Sequence, residues 1–346
     1  MKPEHMHTTM EHPTLDARLD DWPALQHAVA FTGLLLGNGA SRAVWRNFAY
    51  DSLFERARTV RNKPLSLTDL ALFKSLGNTS FEQTLGALNA TVRVNAALAI
   101  SSTAPLNRYY SIKEALIHAV RSVHIPSRLL SEDALAALAS ALSHYPTVYS
   151  SNYDLLCPWA VRHRPEAFDE LMDPDLGFDL RRTTPARPTR VLYLHGGLHL
   201  IKNSDGSTRS RAAQGGALLD GFAINTPGDV PLLVNEGHAD DKQRAIRDSD
   251  YLSWCQHALS QHQGPLCVFG HSLAEQDQHL VQALLEARPD TLALSIFPLS
   301  DAWIISQKQH FQRLFAHTGV QLAFFDATSH PLGRPALNVP VPRKKK

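Results

Sequence analysis

The sequence predicts an α/β protein: a doubly wound parallel sheet of about six to seven strands carrying a large helical insertion. Three observations predict it. Short apolar runs recur along the chain, helical patterns separate many of them, and several runs are apolar at almost every position, as in strands buried on both faces. With 346 residues, 44% of them hydrophobic, the chain can build one such domain with an insertion, or two modest ones.

The strand-length runs are Thr32–Leu36, Thr147–Ser150, Val191–Leu194, Pro231–Val234, Pro265–Phe269, Leu292–Phe297 and Gln321–Phe325. Helical patterns include Ala134–Leu142, Gln278–Glu286 and Gln307–His317. Residues 47–144 break the alternation and read as a helical insertion between the first two strands. There Phe81, Leu85 and Leu88 share one helical face, and Ile112, Leu116, Ala119 and Val123 another. These stripes read as packing surface, with the insertion also a candidate face for a homo-oligomer. Lys202–Ala217, rich in Gly, Ser and Arg, reads as a mobile loop. Residues 1–22 read as a flexible lead holding His5, His7 and His12, residues 23–330 as the domain, and 331–346 as a flexible basic tail.

Composition narrows the function. Lys plus Arg number 34 against 33 Asp plus Glu, a net charge of +1 that gives no field for nucleic acid or an anionic membrane. Cys157, Cys255 and Cys267 lie far apart with no Cys-x-x-Cys pair, which excludes a structural zinc ribbon and argues against a disulfide framework. The polar start lacks the apolar core of a signal peptide, and no apolar run approaches the ~18 residues of a membrane span. The expectation is a soluble cytoplasmic protein without a metal.

Four polar constellations follow apolar strands. The first, Gly37-Asn38-Gly39-Ala40-Ser41-Arg42, is a Gly-x-Gly turn opening a helix; such a turn lets backbone N–H groups approach a pyrophosphate, although strand–helix geometry alone also calls for glycine. The third glycine of the dinucleotide fingerprint is absent, and no acidic residue ends a second strand where one is expected. An ordinary dehydrogenase is disfavoured. The second, Ser151-Asn152-Tyr153-Asp154, places an amide and a carboxylate beyond a strand end, where open α/β sheets bind ligands; either residue could instead cap the next helix. The third, His195-Gly196-Gly197, offers an imidazole flanked by glycines, suited to general-base work near neutral pH or to a structural place at a strand end. The fourth, Gly270-His271-Ser272-Leu273 with Asp277 following, offers a hydroxyl and backbone amides, and lacks the second glycine of an esterase elbow.

Taken in order, these four constellations resemble the sirtuin family, whose members carry Gly-Ala-Gly-x-Ser, Asn-x-Asp, His-Gly and Gly-Thr-Ser-Leu in the same sequence. The variants here look closer to bacterial sirtuin-like proteins, many of them anti-phage effectors that destroy NAD. The resemblance covers roughly residues 31–300, discontinuously, and implies a Rossmann-like domain with NAD as substrate. It implies that Gly37, Asn38, Gly39, Ala40 and Ser41 line the pyrophosphate. Asn152 would orient the nicotinamide ribose and a water, Asp154 would recognise the carboxamide, and His195 would be the general base. Gly270, His271 and Ser272 would sit against the adenosine half, and Asp277 would brace that loop or its helix start. Nicotinamide leaves without a general acid, so positive charge rising at the ribose carbon needs positioned dipoles and a held water.

The chain departs from the family twice. Ala43-Val44-Trp45-Arg46-Asn47-Phe48 replaces Gly-Ile-Pro-Asp-Phe-Arg, and the zinc module with its four cysteines is missing. NAD hydrolysis therefore fits better than protein deacetylation. Glu236 and Lys242 are candidates for the pocket mouth or for a surface salt bridge. The alternatives are a catalytically silent NAD or ADP-ribose sensor and an ADP-ribosyltransferase; an activating partner protein or self-assembly would gate a hydrolase.

Overall fold

A computed structural model of the chain describes residues 15–48, 52–173, 177–179, 181, 186–203, 207–211, 231–234 and 239–341. Its strands are β1 (Gly33–Leu36), β2 (Thr147–Ser150), β3 (Phe168–Asp169), β4 (Met172–Asp173), β5 (Gly177–Phe178) and β6 (Thr189–Tyr193). They continue as β7 (Gly196–Lys202), β8 (Thr208–Ser210), β9 (Pro231–Leu233), β10 (Leu266–Phe269), β11 (Thr291–Ile296) and β12 (Gln321–Asp326). Seven of them form one parallel sheet in the order β12-β11-β10-β1-β2-β6-β3. Setting aside the edge strand β3, the other six run 3-2-1-4-5-6 in chain order, the Rossmann-like doubly wound arrangement. The strand order reverses between β1 and β10, and ligands of such sheets bind beyond the carboxyl ends at that point.

Burial explains the central strand. Leu34, Leu35 and Leu36 are all buried, because helices cover both faces and neighbours pair with both edges. The pairing is level at the carboxyl end: Leu36 lies beside Phe269 and Ser150, and Ser150 beside Tyr193. Asn38, Asn152, His195 and His271 each lie two residues beyond that row.

Three strand expectations need correction. Pro231–Val234 does not join the parallel sheet: β9 pairs antiparallel with β7 in a separate sheet ordered β8-β7-β9. The cause is local. Gly196, at φ +71°, turns the chain directly after His195, and β7 starts there without a crossover. Lys202–Ala217, expected as a loop, contains β8; residues 204–206 and 212–217 lie outside the described residues. The seventh parallel strand is β3, whose two residues are too few to show a period.

Within 47–144 the chain forms helices Leu53–Thr59, Leu67–Ser75, Phe81–Ala97, Thr103–Val123 and Glu132–Leu142. Serines set the starts: Ser52, Ser66, Ser80 and Ser131 each accept the N–H three residues on, satisfying donors a helix N-terminus leaves open. Phe81, Leu85, Ile112, Leu116 and Val123 join Leu53 and Phe73 in a second core, which meets the sheet domain through Leu155, Leu198 and Leu233. No helix among the described residues is long and apolar enough to cross a membrane.

Both ends pack further than expected. Residues 15–22 are not a free lead: Asp20 bridges Phe325 of β12, and Lys308 donates to the Asp16 and Arg18 carbonyls. Trp22 is buried against the rings of Phe31, Phe325 and His330. After residue 331, Leu332 and Leu337 are buried and the Val339 N–H donates to the Val44 carbonyl. His5, His7, His12 and the basic cluster at 343–346 lie outside the described residues.

Truncating Trp22 removes a filled ring site at 1% exposure. Trp22→Ala is expected to cost about 3–5 kcal/mol in urea denaturation, whereas a cost below about 1 kcal/mol would show this segment to be unattached.

Candidate functional site

The turns after β1 and β10 meet backbone to backbone. The Gly37 N–H donates to the Phe269 carbonyl at 2.9 Å, and the Gly39 N–H to the Gly270 carbonyl at 2.8 Å. A Cβ on Gly37 would stand 2.5 Å from the Gly270 oxygen, and one on Gly39 2.6 Å from the Gly270 Cα. Gly270 itself sits at φ +70°, which favours glycine. The glycines therefore serve close approach of two turns, and the N–H groups of Gly37 and Gly39 are not left to face a pyrophosphate.

Ser41 also points inward. At 2% exposure its hydroxyl donates to Asp154 Oδ2 and accepts from Asn152 Nδ2 at 3.0 Å. The same amide donates to the Gly37 carbonyl at 2.9 Å, while Asp154 Oδ1 accepts the Leu156 N–H at 2.9 Å. Asn38 donates through Nδ2 to the Phe48 carbonyl, and Ala40 is half-buried. The first two constellations thus satisfy one another across β1 and β2.

His195 belongs to a second buried group. Its Nε2 lies 2.7 Å from Nε2 of His279, so one ring donates and the other accepts. Asp277 Oδ1 accepts from Lys242 Nζ at 2.7 Å, and Oδ2 stands 3.9 Å from His271 Nε2. Because His271 Nδ1 accepts the Leu273 N–H, its proton is on Nε2, facing Asp277. Burial, with the neighbouring His279, pushes His195 well below the ordinary histidine range. Burial lowers His271 and takes His279 to about 4. Burial raises the Asp277 carboxyl, but His271, His195 and Lys242 outweigh it and hold it below its usual value; with the imidazoles neutral, Lys242 is the effective cation. His195 is thus less free than its glycine neighbours suggest, since its buried ring is held by His279 and its carbonyl by the Val234 N–H. Lys242 is a buried ion-pair partner and not a surface group; Glu236 lies outside the described residues.

A cleft of about 1160 Å³ opens at the carboxyl ends of β10 and β11, beside the strand-order reversal. Gly39, Gly270, His271 and Ser272 line it; Asn152, Asp154, His195 and Asp277 lie behind the turns and outside its lining. Arg42, Arg46 and Arg56 supply cationic donors on one side, and Phe297 and Trp303 aromatic faces on the other. Guanidinium groups suit phosphate, and rings suit a base. Sequence reasoning missed Arg46, Arg56 and His279. The Asp277-x-His279 spacing was visible, but nothing local separated His279 from the apolar helix face that holds it.

Three buried histidines link stability to acidity: burial lowers His262 and His279 to about 4 and His330 to about 3. Each ring favours the folded state fully above its unfolded pKa of about 6.5, and that contribution is lost as pH falls through the folded value. The urea midpoint is expected to fall as pH drops from about 6.5 to about 4. A flat midpoint across this window would contradict the burial of these rings.

No curated protein matches the chain. A family model described as Domain of unknown function (DUF4917) matches residues 34–332, which include both turns, the buried histidine pair and the cleft's β10 wall. The chain belongs to the DUF4917 family.

Proposed function

We propose that this chain binds NAD through its ADP-ribose half and hydrolyses the nicotinamide–ribose bond. The observation that carries the reading is convergence: the four constellations leave adjacent strands β10, β1, β2 and β6 at one level of the carboxyl edge. The cleft adjoining them pairs guanidinium groups with aromatic faces, as a dinucleotide requires. In this reading Arg42 and Arg46 hold the pyrophosphate, and the nicotinamide end reaches behind the glycine turns toward Asn152 and His195. The similarity to bacterial sirtuin-like NAD hydrolases supports the same chemistry, including a role in phage defence. Continuous NAD loss would deplete the host cell, so the activity would be gated by assembly or by a partner.

One observation favours a second reading, a catalytically silent NAD or ADP-ribose sensor. Asn152 already satisfies Gly37 and Ser41, and His195 is buried against His279. Catalysis therefore requires these contacts to open when ligand binds.

Nicotinamide release from NAD by purified protein, followed over a range of protein concentrations, separates the two. The hydrolase reading predicts release that falls at least about 100-fold in both Asn152→Ala and His195→Ala, with ADP-ribose affinity held within about threefold. ADP-ribose binding without nicotinamide release at any concentration selects the sensor.

A further inference from the structure

We propose that His195, Asp277 and His279 bind one divalent transition-metal ion of the zinc class. One ligand atom from each residue falls within a 4.8 Å set, and all three side chains are buried. Two imidazole nitrogens and one carboxylate oxygen suit zinc, cobalt, nickel or iron and not calcium or magnesium, which favour oxygen. Three protein ligands leave a coordination position for water or a ligand.

The elements hold these groups independently. His195 follows β6, where the Leu194 N–H donates to Ser150 and the Val234 N–H donates to the His195 carbonyl. Asp277 and His279 flank the start of helix Gln278–Ala287, and Gln256 Nε2 donates to the His279 carbonyl at 2.7 Å. Ligation by both Nε2 atoms requires the two rings, which face one another end to end, to part and to turn their lone pairs toward one shared point. Bonds near 2.0–2.1 Å in tetrahedral geometry set the nitrogens roughly 3.3 Å apart, so the pair must separate from 2.7 Å by roughly 0.6 Å.

The protons balance without net release. The pair shares one Nε2–H, which moves to Nδ1 of the same ring when both Nε2 lone pairs bind metal, and both imidazoles stay neutral. Among the described residues the buried His279 Nδ1 has no hydrogen-bond partner, so either tautomer of that ring carries the same unmet group. Asp277 would enter through Oδ2, since Lys242 holds Oδ1, and His271 Nε2–H stands 3.9 Å from that same Oδ2 as a polar neighbour of the metal-bound oxygen. Lys242 is the opposing element, a resident cation on the same carboxylate.

This inference does not depend on NAD cleavage, and binding is read directly. The full chain carrying His5→Ala, His7→Ala and His12→Ala removes the imidazoles near its start. After chelator treatment it is titrated with zinc chloride by calorimetry and with cobalt chloride by visible absorption. One ion per chain and cobalt bands of a tetrahedral or five-coordinate site are expected. His279→Ala and Asp277→Asn, each checked by circular dichroism, should weaken binding at least about 100-fold. Lys242→Met should tighten it at least about tenfold, because a like charge leaves the site. Substoichiometric binding, or equal affinity in His279→Ala, would overturn the proposal; so would an unchanged affinity in Lys242→Met. Metal binding without nicotinamide release supports it and counts only against the hydrolase reading.

Discussion

The contact between two glycine turns, Gly37–Gly39 after β1 and Gly270 after β10, is the constraint on which the candidate site depends. Where the strand order reverses, crossovers leave in opposite directions and a crevice opens between the adjacent strand ends. Here the floor of that crevice is fixed by the Gly39-to-Gly270 hydrogen bond. Any Cβ at Gly37 or Gly39 would meet the Gly270 or His271 backbone. The closeness delivers helix Asn38–Val44 so that Ser41 reaches Asn152 and Asp154, while the Ala43 and Val44 carbonyls accept from Asn338 and Val339. One backbone contact thereby ties β1, β2, β10 and the C-terminal segment together.

Behind the contact, polar chemistry is buried in matched groups. Lys242 and Asp277 neutralise one another where either alone would be costly, and His195 and His279 share a proton as neutral rings. Nearby, Tyr193 donates to Glu170 and its ring packs edge-on against His199. Such groups hold a unique arrangement while keeping lone pairs and protons that a ligand can engage. The cleft has the opposite character, with guanidinium groups and rings exposed to whatever enters it. Under the proposed function, recognition in front of the glycine turns and reactivity behind them would be separate tasks.

Much of the sheet was legible from residues. Pro265–Phe269 and Leu292–Phe297 announce β10 and β11 because buried parallel strands are apolar on both faces, and the insertion's stripes at Phe81–Leu88 and Ile112–Val123 announce its helices. Pairing partners were not legible. Pro231–Val234 looks like a parallel strand, since local pattern carries no information about register with β7. The site divides in the same way. The Gly-x-Gly and Gly-His-Ser turns were visible as motifs, but their mutual contact is non-local, so glycines that pack turns together looked like phosphate-facing amides. His279 was invisible for a related reason: a histidine among Leu280, Val281 and Leu284 reads as core until β6 brings His195 to it. Asn152 does not cap the helix Leu156–His163 but donates to Gly37 and Ser41; Asp154 Oδ1 accepts the Leu156 N–H beside that helix, and His195 pairs with His279 beyond its strand end.

The central claim is that the glycine contact shapes the place where a dinucleotide binds. Its most direct test is ADP-ribose affinity, measured by calorimetry, in Gly39→Ala beside Gly86→Ala, a helical glycine whose added methyl would meet nothing within 4 Å. The account predicts at least about a tenfold loss in Gly39→Ala, since a methyl there must part the two turns, and none in Gly86→Ala. Equal affinity in the two variants would contradict it.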